Sequence, residues 1–146
     1  MSPYLAMTNA TQEDQGRDLL IMAGTGWVQA LDAGDGALVW NYALDLPKPT
    51  TPSVGVTDGK VIVACSGQLY CLDYETGARV WQRPCLSATS RPTLLVEGDR
   101  IVLAGTSRAE CFGLDGKQRW AGNAPAVTGY IALATRHTVA QADVGA

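Results

Sequence analysis

The chain has 146 residues, of which 47% are hydrophobic, 17% charged and 7% aromatic, a composition that suits one globular domain and excludes disordered and collagen-like chains. Eleven Lys and Arg against 14 Asp and Glu leave a net charge of −3 with no basic cluster, so neither nucleic acid nor anionic lipid is an expected partner. No apolar run approaches the roughly 18 residues that a membrane-spanning helix needs.

The N-terminal stretch MSPYLAMTNATQEDQG carries no basic leader, long apolar core or small-residue cleavage site, so the chain taken as complete is expected to be cytoplasmic. The first clear element is LLIMAG (Leu19 to Gly24), an apolar run too short for a helix. Gly24-Thr25-Gly26 begins like a dinucleotide fingerprint, but a third glycine is missing and a strand follows, so it reads as a hairpin turn. Next comes GWVQALDAGDGALVW (Gly26 to Trp40), in which Asp32 to Gly36 forms a turn: Gly supplies the positive φ and Asp a local side-chain bond. Asp32 and Asp35 lack the alternating oxygen donors and distal Glu of a calcium loop.

The same order then recurs. SVGV (Ser53 to Val56) and VIVACS (Val61 to Ser66) flank Asp58-Gly59, and GQLYCLDYETGARVW (Gly67 to Trp81) repeats the motif with its own Asp73 to Gly77 turn. TLLV (Thr93 to Val96) and IVLAGT (Ile101 to Thr106) lead into a weaker copy, SRAECFGLDGKQRW (Ser107 to Trp120). There Gly113 stands where Asp32 and Asp73 stand, and the Asp115-Gly116 turn is one residue shorter. The closing tryptophans lie 41 and 39 residues apart, close to the roughly 40 to 45 residues of a four-stranded propeller blade. Continuous rather than alternating apolar character in the inner strands requires cover on both faces, as when blades stack around an axis.

The pattern G-x-x-x-A-L-D-x-x-x-G-x-x-x-W resembles the tryptophan-docking repeat of the quinoprotein-like β-propellers, a family holding both pyrroloquinoline quinone dehydrogenases and non-enzymatic scaffolds such as the outer-membrane assembly lipoprotein. The resemblance implies that Trp40, Trp81 and Trp120 pack between neighbouring blades, supported by Asp32, Asp73, Gly36, Gly77 and Gly116. A large ring suits a wedge between twisted sheets, and its indole N–H then needs a backbone carbonyl. The expected fold is all-β: a partial β-propeller of four-stranded antiparallel blades over about 3–45, 51–84 and 91–124, with a half-blade at 125–146. The half-blade has room for two strands, near Tyr130 to Ala134 and His137 to Ala142.

Closed propellers have about 4 to 8 blades, so three and a half leave open sheet faces. A head-to-tail homo-oligomer, another protein that completes the ring, or membership of a longer propeller would each resolve this. For the enzymatic branch, the resemblance implies a quinone held by calcium, an Asp base and an adjacent Cys-Cys disulfide. Cys65, Cys71, Cys85 and Cys111 are spaced 6, 14 and 26 apart, with no adjacent pair and no zinc set, and read as buried reduced thiols, although a disulfide between two of them stays open. The one histidine, His137, has no nucleophile elbow or other local context around it. No catalytic, cofactor-binding or metal site is therefore expected. The expected role is a non-enzymatic protein-binding or assembly scaffold, with a small-ligand sensor, a structural part of a virion or secretion particle, and a redox subunit as alternatives. The connections Asp45 to Pro52 and Pro84 to Arg91 are the candidate contact loops.

Overall fold

A computed structural model describes residues 16–48, 50–88, 92–105, 107–125 and 132–136, and the backbone of 139–141. The described chain is all-β and antiparallel. β1 (Leu19–Gly24), β2 (Trp27–Asp32) and β3 (Leu38–Ala43) form a three-stranded sheet. β4 (Ser53–Thr57), β5 (Lys60–Cys65), β6 (Gln68–Asp73) and β7 (Arg79–Pro84) form a four-stranded meander, and β8 (Thr93–Glu97), β9 (Arg100–Gly105), β10 (Arg108–Gly113) and β11 (Gln118–Asn123) form another. β12 (Ala132–Ala134) and β13 (Val139–Gln141) pair as a hairpin. The expected strand before β1, and His137, lie outside the described residues.

Turn chemistry explains the meanders. Asp58-Gly59 (φ 50° and 73°) and Ser66-Gly67 (φ 52° and 79°) carry the paired positive φ values of two-residue hairpin turns. Gly26, at φ 90°, closes the β1–β2 hairpin at the Gly24-Thr25-Gly26 segment.

The sheets stack face to face, and β4 lies beside β8 at their inner edge, close enough that a Cβ on Gly55 would meet Val96 Cγ2 at 2.9 Å. Thr57 Oγ1 donates to the Gly98 carbonyl at 2.8 Å, and Ser53 Oγ donates to that of Pro92. Side chains on the middle sheet alternate between two cores. Val61, Val63, Cys65, Tyr70 and Leu72 join Val28, Ala30 and Trp40 of the first sheet. Ile62, Ala64, Leu69 and Cys71 join Ile101, Leu103 and Phe112 of the third. This is the physical origin of the unbroken apolar runs: period-two alternation persists, but both faces are dry. Among the described residues the first sheet is covered on one face, and Leu20 of β1, which matches the fully buried Val61, is 51% exposed.

Candidate docking interface

Each motif strand pair carries a β-bulge at one repeated place. Ala30 pairs with Trp40 but Leu31 with Leu38, Cys71 with Trp81 but Leu72 with Arg79, and Cys111 with Trp120 but Phe112 with Gln118. The extra residue is always the one before the tryptophan, so the bulge aims the indole out of its sheet toward the next one. Shortening of the third turn leaves this bulge in place.

The first two tryptophans cross the gap as a matched pair. Trp40 is buried, and its Nε1–H donates to the Tyr74 carbonyl at 2.9 Å. Trp81 is half-buried, and its Nε1–H donates to the Leu114 carbonyl at 2.9 Å. In each case the acceptor is the first residue after the motif Asp position in the next sheet. The turn glycine lies beneath the ring: a Cβ on Gly77 would sit 2.5 Å from Trp40 Cδ2, and one on Gly116 would sit 3.1 Å from Trp81 Cδ2. These glycines thus serve twice, since both also adopt positive φ, 75° and 86°.

The turns are braced from within. Asp73 Oδ1 accepts the backbone N–H groups of Glu75 and Thr76 at 2.9 and 3.0 Å, and the Gly77 N–H donates to the Asp73 carbonyl at 2.8 Å. The Thr76 N–H is the main influence that holds the Asp73 carboxyl below its usual range. Asp32 repeats this with the Gly34 N–H at 2.7 Å and the Gly36 N–H to its carbonyl at 2.8 Å. In the third turn Gly113 has no side chain to offer, so Asp115 Oδ1 accepts the Lys117 N–H at 2.9 Å while the Gly116 N–H reaches the Gly113 carbonyl at 3.0 Å.

Trp120 departs from the role expected of it. It is 50% exposed, and among the described residues the hairpin β12–β13 that follows packs beside β8 at the inner edge. The loop Pro84 to Arg91 also departs from expectation. Cys85, Ser87 and Ala88 are buried, leaving Leu86 exposed, while 89–91 lie outside the described residues. Asp45, Pro47, Lys48 and Thr51 of the other loop are exposed.

Four further residues hold the gaps, and no motif pointed to them. Arg83 Nη1 donates to the Gly116 carbonyl at 2.9 Å while its guanidinium carbon stands 4.7 Å from the Phe112 ring centroid. Tyr42, two residues after its tryptophan as Arg83 is, meets Tyr70 edge to face at 6.1 Å. The Tyr74 hydroxyl accepts the Leu19 N–H at 2.8 Å. The buried Glu110 is the fourth: Oε1 accepts the Ser87 N–H at 2.8 Å and the Cys85 thiol at 3.2 Å, and Oε2 accepts the Gln118 amide at 2.8 Å. Burial works to raise its carboxyl, but the Ser87 N–H, the Cys85 thiol and Arg108 outweigh burial and leave it below the usual range. Burial, reinforced by Glu110, pushes the Cys85 thiol up to about 12. An apolar strand position carrying Glu is the one sequence signal that marks this clamp, since a buried carboxylate must find donors.

All four cysteines are buried and free. Among the described residues no three His, Cys, Asp or Glu side chains converge as a metal site, and no helix is long and apolar enough to cross a membrane. The donor set implied by the quinone-and-calcium resemblance is thus not gathered in these residues, and no chemical step is assigned through such a group.

Comparison with known proteins places this architecture. The family described as outer membrane protein assembly factor BamB matches residues 24–143. The chain belongs to this family. Its solved relatives include BamB from Moraxella catarrhalis, with a TM-score of 0.65 and 24% identity over 88% of this chain and 41% of that one. A quinohemoprotein alcohol dehydrogenase from Pseudomonas putida gives a TM-score of 0.60 at 23% identity, covering 77% of this chain and 20% of that one. A 1-butanol dehydrogenase (cytochrome c) from Thauera butanivorans is 32% identical over 103 residues, 61% of this chain and 15% of the dehydrogenase. The chain therefore spans less than half the length of these relatives. With BamB and these dehydrogenases as neighbours, the stacked meanders are blades of a β-propeller.

Proposed function

We propose that this chain is a non-enzymatic protein-binding scaffold, a segment of propeller that presents loops and open sheet faces to other proteins during assembly. One observation carries the reading: each of the two gaps between the three sheets is filled by one indole seated on a turn glycine, with the Glu110 clamp added in the second, all structural, which makes a stiff frame for variable exposed loops. Membership of the BamB family supports it, since that family is described as an outer membrane protein assembly factor. Rim contacts fall to the crossover loops at Asp45, Lys48 and Leu86.

A photo-crosslinking amino acid placed at Lys48 or Leu86 in the source cell tests it. The expected result is a discrete protein adduct at these positions and none at the buried Val63. Absence of adducts at every exposed position overturns the scaffold reading.

A second reading, a quinoprotein redox subunit, is favoured by the 32% identity to the 1-butanol dehydrogenase. Titration of the purified chain with pyrroloquinoline quinone and calcium distinguishes the two. Saturable quenching of tryptophan fluorescence with dye-linked alcohol oxidation supports the redox role, and an unchanged spectrum supports the scaffold.

A further inference from the structure

The outer strand of the middle sheet carries an open groove of about 480 Å³, lined by all six residues of β7, Arg79–Pro84, and by Gln68 of β6. This sheet has a core on each of its faces, so the groove belongs to its edge, where Arg79, Val80, Gln82 and Pro84 are exposed. Val80 is the bulged residue of its strand pair, and half of its surface faces solvent. Along the groove Arg79 Nη1 donates to Gln82 Oε1 at 2.8 Å, and Gln82 Nε2 donates to Gln68 Oε1 at 3.1 Å. A guanidinium only donates, so the Gln82 oxygen must face Arg79 and its nitrogen must face the Gln68 oxygen. Both amide oxygens are thereby engaged, and what the relay still offers is N–H. Arg83 adds a second positive charge, with part of its donor fork given to the Pro84 and Gly116 carbonyls. No carboxylate is among the described residues that line the groove.

We propose that this groove binds an extended, acidic segment of a partner protein, with a carboxylate on Arg79 and main-chain carbonyls on the Gln68 and Gln82 amides. Donors in excess call for a ligand rich in acceptors, and a carboxylate also supplies the negative charge that the two arginines need. Length argues for a segment over a lone anion. Six strand residues at roughly 3.3 Å each run about 20 Å, and Val80 offers an apolar contact beside the polar groups. The same residues select by exclusion: Arg79 and Arg83 repel basic strands, including a second β7, and Pro84 lacks the N–H that a full ladder would use. A neutral strand therefore gains little here, and side-chain bonds hold the acidic one. The inference goes beyond the loop contacts proposed at Lys48 and Leu86 and uses different residues, so either can fail without the other.

The test titrates the isotope-labelled full chain with a capped synthetic peptide of alternating glutamate and threonine, followed by amide NMR shifts. Saturable shifts are expected in the β7 backbone and in the Gln68 and Gln82 side-chain amides, with the buried Val63 unmoved. Glutamine in place of glutamate in the peptide, or Arg79→Glu in the chain, is expected to weaken binding about tenfold or more. Sodium acetate over the same range of carboxylate concentration is expected to give no saturation. Absence of saturable shifts, shifts that spare β7 and the two glutamines, equal binding of the glutamate and glutamine peptides, binding indifferent to Arg79→Glu, or saturation by acetate to the same degree overturns the proposal. If Arg79→Glu loses the native circular dichroism, Arg79→Gln, which deletes the charge without reversing it, replaces it under the same criteria.

Discussion

Gly77 shows how a single missing methyl group sets the spacing of two sheets. Any side chain there meets both a backbone at φ 75° and the Trp40 ring at 2.5 Å. Gly59, at φ 73° with open space around it, carries only the backbone part of the penalty. Gly59→Ala is expected to cost about 1 kcal/mol and Gly77→Ala roughly 3 kcal/mol, read from urea midpoints, with the excess arising from the displaced indole. Glu110 offers a second test through pH. Its carboxyl is lowered in the folded state, so its contribution is complete above the unfolded value near 4.5 and is lost as pH falls through the lower folded value. Glu110→Gln leaves one acceptor oxygen where both now accept, turning an amide N–H toward a donor, and should cost about 1–3 kcal/mol at neutral pH. Urea unfolding from pH 7 to 3 is expected to show a shallower acid limb in the variant, with the residual slope coming in part from Asp73, which is lowered as well.

At the scale of the element, burial is decided by position in the stack more than by strand sequence. LLIMAG and KVIVAC are near-equal strands by composition, yet Val61 and Ile62 are fully buried while Leu20 is half exposed. Ile62→Ala should therefore cost roughly 2–5 kcal/mol and Leu20→Ala no more than about 0.5 kcal/mol, as measured by the same denaturant midpoints. This contrast also marks what the sequence makes legible. Strands, turns and the acceptor carbonyl for the indole follow from local rules: Gly at positive φ, β-branched runs, and an N–H that must be paired once buried. The fate of Trp120 does not, because exposure depends on what packs against the ring, which the local motif does not encode. The Pro84 to Arg91 loop misleads for a related reason. Its small polar residues suggest a wet connection, but Glu110, 23 residues beyond Ser87 and 25 beyond Cys85 in the chain, supplies the acceptor that lets both go inside. Arg83 was equally hidden, since its partner is a carbonyl in the next repeat.

For the whole molecule, a stack in which each sheet touches only its neighbours makes stability a sum of interfaces, highest in the sheet that has two. The middle meander β4–β7 touches both cores, the first sheet touches one, and among the described residues β12–β13 packs beside the inner strand β8. Amide hydrogen exchange should follow that order, with β5 and β6 slowest, β2 and β10 intermediate, and β12–β13 fastest. Exchange that is uniform across the three sheets at high dilution would mean that the chain opens as one cooperative unit, and the nearest-neighbour account of its stability would fail.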